Sequence, residues 1–165
     1  MHVNCCVDEP LVPGGAARWS RRDAPAVPEV QHDPDAIDAA LDAFVAGYAG
    51  RRGVLTIGAL RPPQTLSLLS LGALLGWPVL AEPLSGLRLD ASDAGRALAA
   101  GQLLIGDATW FARHRPEVVL QVGGTPTTRA NQALVAAADA LVVLDRDHLD
   151  PDPNGLAERR IAVDP

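Results

Sequence analysis

The sequence contains no lysine. All 14 of its basic residues are arginine, and they stand against 20 acidic ones for a net charge of −6. That balance excludes a nucleic-acid or membrane-surface role, because both need a basic face to displace counterions or attract anionic headgroups. Small anionic ligands remain within reach of the arginines. Cysteine is nearly absent too: Cys5 and Cys6 are adjacent and cannot staple distant segments. Four scattered histidines (His2, His32, His114, His148) lack metal-ligand spacing, so no metal site is expected. The N-terminus has no basic stretch leading into an apolar core, so no signal peptide is read there, and unpaired thiols suit a reducing compartment. A cytoplasmic location is the expectation. The run from Leu66 to Ala81 is free of charge, but it is shorter than the roughly 20 residues a membrane-spanning helix needs, and Gly76 and Pro78 interrupt it. Known phosphate-cradling and nucleophile motifs are missing: "IGALRPPQ" stands where a G-x-G-x-x-G would follow the first strand, a P-loop would need lysine, and there is no G-x-S-x-G.

What is present is an alternation of strands and helices. Residues 1 to 34 are rich in proline, glycine and charge after a short apolar "HVNCCV", and they read as the end of a preceding domain followed by a linker. A stand-alone domain rarely spends a fifth of its length this way, so the chain is expected to come from something longer. From residue 35 to 165 a single α/β domain is read. Ile37, Leu41, Phe44, Val45 and Tyr48 have helical spacing and Gly50 is placed to stop the helix, predicting one over about 36–49. "GVLTIG" is a strand, and "LRPPQTLSLLSLGALLG" is a helix opened by proline and closed by Gly76. "PVLAE" is the second strand. "DAGRALAAGQLLIGDATWFARH" reads as mostly helical with a break at Gly106. "EVVLQVG", "LVVLD" and "RIAVD" are further strands, with a helix in "TPTTRANQALVAAADA". Strands apolar on consecutive residues and separated by helices imply a parallel sheet covered on both faces. The predicted fold class is therefore α/β, a Rossmann-like open, mainly parallel sheet of about five or six strands.

Two strand-end loops are the candidate sites, since ligands in such sheets bind beyond the carboxyl ends of the strands. In "GGTPTTRANQ", Gly123 and Gly124 free the backbone, Thr125 is a candidate helix cap, Pro126 suits the first helical position and Arg129 lies early in the helix. Helix amides, the hydroxyls of Thr127 and Thr128 and a guanidinium make an anion or substrate site; an ordinary capped turn with a solvated arginine accounts for the same residues. In "PLSGLR", Gly86 is expected at positive φ with Ser85 bonding the backbone, either as a plain turn or as a ligand loop. Arg61, Arg88 and Arg129 follow three successive strands, so a parallel sheet delivers all three loops to one edge. Together with Ser85 they form a candidate anion or effector site for a carboxylated ligand. Trp77 and Trp110 read as packing residues, and Asp145, Asp147 and Asp150 as a solvated acidic loop rather than a metal cluster.

"HVNCCVDEPLVP", "GWPVLAEPLSGLR", "EVVLQVGGTPTTRANQAL" and "DRDHLDPD" together resemble the middle part of the 2-succinyl-5-enolpyruvyl-6-hydroxy-3-cyclohexene-1-carboxylate synthases, thiamine-diphosphate enzymes of menaquinone biosynthesis. The resemblance covers nearly the whole chain in the family's order. It implies a central domain joined to a pyrimidine-binding and a diphosphate-binding domain of the same polypeptide. The parent would be a transferase that decarboxylates 2-oxoglutarate on thiamine diphosphate with Mg and adds the succinyl unit to isochorismate, as a homodimer or homotetramer. It also implies that no catalytic, cofactor-binding or metal residue lies in this segment, which alone would be inactive. The family's basic pair toward the active site aligns with Arg129 and Ala130, so Arg129, beside Thr127 and Thr128, is the implied substrate contact. The alternative is a nucleotide-binding or regulatory central domain of another thiamine-diphosphate enzyme.

Overall fold

A computed structural model describes residues 34–60, 65–87, 97–98, 100–145 and 151–162. Arg61, Arg88, the two cysteines, and Asp147 and Asp150 lie outside the described residues, as does everything before Pro34. The elements run α1 (Pro34–Tyr48), β1 (Gly53–Ile57), α2 (Thr65–Leu75), β2 (Val79–Ala81), a 3-10 turn (Pro83–Ser85), β3 (Ala97–Leu98), α3 (Gly101–Gly106), α4 (Ala108–His114), β4 (Val118–Val122), α5 (Arg129–Ala137), β5 (Ala140–Leu144) and β6 (Arg159–Ile161). The six strands form one sheet in the order β3-β2-β1-β4-β5-β6, and every neighbouring pair is parallel. This is the doubly wound order, in which the chain reverses direction across the sheet between β1 and β4. The protein therefore has an open, Rossmann-like α/β fold.

Period-two alternation divides the strands' side chains between two apolar layers. Leu55 and Ile57, Val79 and Ala81, Val118, Leu120 and Val122, and Ala140, Val142 and Leu144 face one side, where Phe44 and Tyr48 of α1 and Leu68 and Leu69 of α2 cover them. Leu80, Val119, Leu141 and Val143 face the other, against Ile105 of α3 and Leu134 and Val135 of α5. Strands buried on both faces are apolar at nearly every position, which is why "VVLQV" and "ALVVL" carry no alternating polar pattern; the exception, buried Gln121, donates its side-chain N–H to the Pro151 carbonyl at 2.6 Å. The helix stops fall where glycine allowed them: Gly50 and Gly76 have φ of 80° and 67°. Trp77 is buried, with its ring edge-on to Phe44 and its indole N–H donating to the Arg51 carbonyl at 2.9 Å. It lies so close over β1 that a Cβ on Gly53 would come within 2.1 Å of the ring.

Three expectations change. Val45 does not face the core: it is exposed while Leu41, Phe44 and Tyr48 point inward. The stretch read as mostly helical contains β3, where Ala97 and Leu98 pair with Val79 and Leu80 as a two-residue edge strand. Alanine-rich sequence has helical propensity, and only the free edge of β2 overrides it here. The expected break then falls at Asp107 as well as Gly106, because the Asp107 carboxylate accepts the amides of Thr109 and Trp110 and so starts α4. Among the described residues no helix is long and apolar enough to cross a membrane.

Beyond β5, Asp152 organises the return to β6. Its buried carboxylate accepts the amides of Leu156 (3.0 Å) and Ala157 (2.8 Å) and the Arg160 guanidinium (3.1 Å). Burial alone pushes this carboxyl upward, but the two amides and the arginine outweigh it and hold its pKa below the usual value. Its stabilising contribution is therefore complete above about pH 4, the ordinary aspartate value, and is lost as pH falls through the lower folded value. Asp152→Asn is expected to cost about 1–3 kcal/mol in urea unfolding at pH 7. The gap between variant and wild type should narrow below pH 4; a gap independent of pH would remove the carboxylate from this role.

Candidate functional site

The site is the sheet's carboxyl edge, where the loops after β1, β2 and β4 meet. β1 ends at Ile57 and gives way to Gly58, whose amide donates to the Val122 carbonyl at 2.9 Å. A Cβ on Gly58 would lie 2.1 Å from the carbonyl oxygen of Gly124, and one on Gly123 would lie 2.6 Å from that of Ala59. Gly123 itself has φ of 73°. The backbones of residues 58–59 and 123–124 are thus in direct contact across the point where the strand order reverses. In dinucleotide-binding sheets that crevice admits a pyrophosphate; here main chain fills its floor.

Over this closure lies Glu82, the residue after β2. It is only 1% exposed. Its Oε2 accepts the Thr127 hydroxyl at 2.6 Å and the Thr127 amide at 3.3 Å. Its Oε1 accepts the Thr128 hydroxyl at 3.2 Å and the side-chain N–H of Asn131, which is itself buried. Four donors and the positive end of a helix offset the cost of removing a carboxylate from water. Thr128 also serves α5: while its hydroxyl donates to Glu82, the same oxygen accepts the Asn131 amide at 3.3 Å as the helix cap. Asn131 Oδ1 and Thr56 Oγ1 are buried without a partner among the described residues.

The β2 loop is folded just as tightly. Ser85, fully buried, donates its hydroxyl to the Glu82 carbonyl at 2.7 Å and accepts the Leu87 amide at 3.2 Å. Gly86 has the left-handed φ of 73° expected of it. Leu87 is buried, whereas Leu84 is 61% exposed.

The predicted residues are distributed accordingly. Thr127, Thr128 and Arg129 come together at the start of α5, but both hydroxyls are directed to Glu82; Arg129 is exposed as the first helical residue. Ser85 is spent on its own turn. Thr125 is not the cap; its hydroxyl reaches the Pro151 carbonyl at 3.1 Å, and Thr128 caps instead because Glu82 draws residues 127 and 128 into an extended approach to the helix. Pro126 accordingly falls three residues before the helix. Convergence of three arginines rests on Arg61 and Arg88, which are outside the described residues. Glu82 and Asn131 were not predicted. Their signal lay in "VLAE", where the phase that buries Leu80 buries Glu82 as well, opposite a run of hydroxyl and amide side chains.

Among the described residues, no group of three or more His, Cys, Asp or Glu is arranged to hold a metal ion. A groove of about 450 Å³ near the opposite edge, beside Gly72, Gly76, Trp77 and Val79, is lined by apolar side chains and offers no polar chemistry. The site residues do not fit a diphosphate group: the crevice floor is main chain and the helix start already holds a carboxylate.

No family model matches the chain. It is an open α/β domain similar to segments of 2-succinyl-5-enolpyruvyl-6-hydroxy-3-cyclohexene-1-carboxylate synthases. The synthase of Geobacillus thermodenitrificans (strain NG80-2) is 32% identical over 136 residues, covering 78% of this chain and 23% of that protein. That of Dechloromonas aromatica (strain RCB) is 29% identical over 141 residues, 82% of this chain and 26% of its own length. That of Chloroflexus aurantiacus is 32% identical over 133 residues, with 78% and 23% covered. These matches support homology with that family, of whose curated members the chain spans about a quarter.

Two glycines at this edge separate steric from conformational constraint. Gly58→Ala is expected to destabilise by about 2–3 kcal/mol, since the new methyl meets main chain that must shift. Gly86→Val meets nothing within 4 Å and should cost on the order of 1–2 kcal/mol, from its positive φ alone. Equal stability of Gly58→Ala and wild type in urea unfolding would show that the two loops do not touch.

Proposed function

We propose that this chain is the central structural and substrate-rim domain of a menaquinone-pathway synthase. That parent decarboxylates 2-oxoglutarate on thiamine diphosphate with Mg and transfers the succinyl unit to isochorismate. The observation that carries the reading is 32% identity over 136 residues with a synthase of that name, on a fold whose switch-point loops meet main chain to main chain at Gly58 and Gly124. In this reading, residues 1–34 close a pyrimidine-binding domain and lead into the domain of residues 35–165. Thiamine diphosphate and Mg belong to the pyrimidine-binding and diphosphate-binding domains, which are this domain's partners in a cytoplasmic homodimer or homotetramer. Arg129 contributes a guanidinium to the rim, where a substrate carboxylate binds, and Thr127 and Thr128 hold the loop that presents it. Arg61, Arg88, Arg129 and Ser85 are the residues proposed for a regulatory anion site.

The competing reading, a nucleotide-binding or regulatory domain of another thiamine-diphosphate enzyme, is disfavoured by the crevice that Gly58 and Gly124 close. Thermal-shift measurements with NAD, FAD and ADP distinguish the two: no shift is expected, and a strong shift with any of them favours the competitor.

The whole reading frame that contains this chain is expected to form the succinylated product from 2-oxoglutarate and isochorismate only with thiamine diphosphate and Mg. Arg129→Ala in that protein should lower kcat/KM by about tenfold or more without lowering Tm, as expected for loss of a charged hydrogen bond. By calorimetry the chain alone should bind no thiamine diphosphate. Saturable micromolar binding by the chain, or a whole protein inactive on these substrates, would defeat the proposal.

A further inference from the structure

Among the described residues, every hydrogen-bond partner of the Glu82 carboxylate comes from residues 127–131, at the start of α5, and none is a cation. In open α/β sheets this place, beyond the strands' carboxyl ends and against a helix N-terminus, receives the anionic group of a ligand. The pocket is built for two oxygens that only accept. Asn131, 2% exposed, turns its N–H toward Glu82 and leaves its own Oδ1 buried without a partner among the described residues. An amide in place of the carboxylate would set a donor against these donors.

We propose that Glu82 is an internal ligand, its carboxylate filling an acceptor-specific site at the start of α5 and positioning Arg129 as the group left to meet an external anion. The amides and hydroxyls that such a helix ordinarily offers are then engaged from within. A carboxylated ligand at this edge must be held by side chains other than these, Arg129 foremost. The inference concerns the chain's own site and stands whether or not the parent carries out the chemistry proposed above.

Chemical complementation tests it on the full 165-residue chain. Glu82→Ala removes everything beyond Cβ, a group the size of acetate. Its Tm is expected to fall by about 5–10 °C, as loss of a buried, multiply bonded carboxylate implies. Sodium formate or acetate should then recover about 3 °C or more, saturably, relative to sodium chloride at equal ionic strength. Wild type should respond alike to all three salts. A Glu82→Ala response no greater in formate and acetate than in chloride overturns the proposal. Where Glu82→Ala is unfolded in chloride, the same titration is followed by circular dichroism, and no gain of structure at the highest carboxylate concentration overturns it equally. Glu82→Gln keeps the shape and introduces a donor; it should lose a comparable part of the Tm and gain nothing from carboxylates, and a wild-type Tm in that variant would refute an acceptor-specific site.

Discussion

The carboxylate of Glu82 is the interaction on which the functional edge depends. β2 and β4 are not neighbours in the sheet, since β1 lies between them, so a side chain that leaves the end of β2 and bonds the start of α5 must cross the end of β1. The crossing is separate from the contacts of Gly58 with Gly124 and of Gly123 with Ala59 and Leu60, where any side chain would collide. It explains Thr128 as the cap, and Ser85 as the residue that locks the turn from which Glu82 emerges. A buried carboxylate with no cation beside it among the described residues is tolerable only where preorganised donors replace water. Here those donors belong to one short segment, so loop and helix start are held as a unit.

Beneath that edge the fold is ordinary in its energetics. Three five-residue strands at the centre are almost wholly buried on both faces, and two separate apolar layers enclose them. A rigid platform of this kind serves many chemistries, and the platform alone does not choose among them. What narrows the choice is negative geometry. The switch-point crevice that nucleotides use in related sheets is closed by backbone, and among the described residues the groove away from this edge is apolar. The matched synthases are more than three times as long as this chain, which corresponds to one segment of them.

Much of this was legible in the residues, and the remainder failed for identifiable physical reasons. The central strands were readable because burial on two faces writes itself as unbroken Val, Leu and Ile. Gly50, Gly76 and Gly86 were readable because only glycine takes a left-handed φ without cost. β3 was not, because Ala97 and Leu98 have no local preference for a strand and adopt one only beside β2. Thr125 and Thr128 are equivalent caps on local grounds, and a carboxylate 46 residues earlier decides between them. Glu82 was hidden for the same reason: an acidic residue before proline in a loop reads as solvated until its partners, distant in sequence, are known.

The sheet also tapers. Its strands shorten from five residues at the centre to three in β2 and β6 and to two in β3. A two-residue border presents few amides or carbonyls to another strand, and the exposed Arg159 places a charge on the opposite border. The flanks are thereby protected against edge-to-edge stacking. Among the described residues, the surfaces left outside these borders are the helical faces and the carboxyl rim, where Leu84 projects.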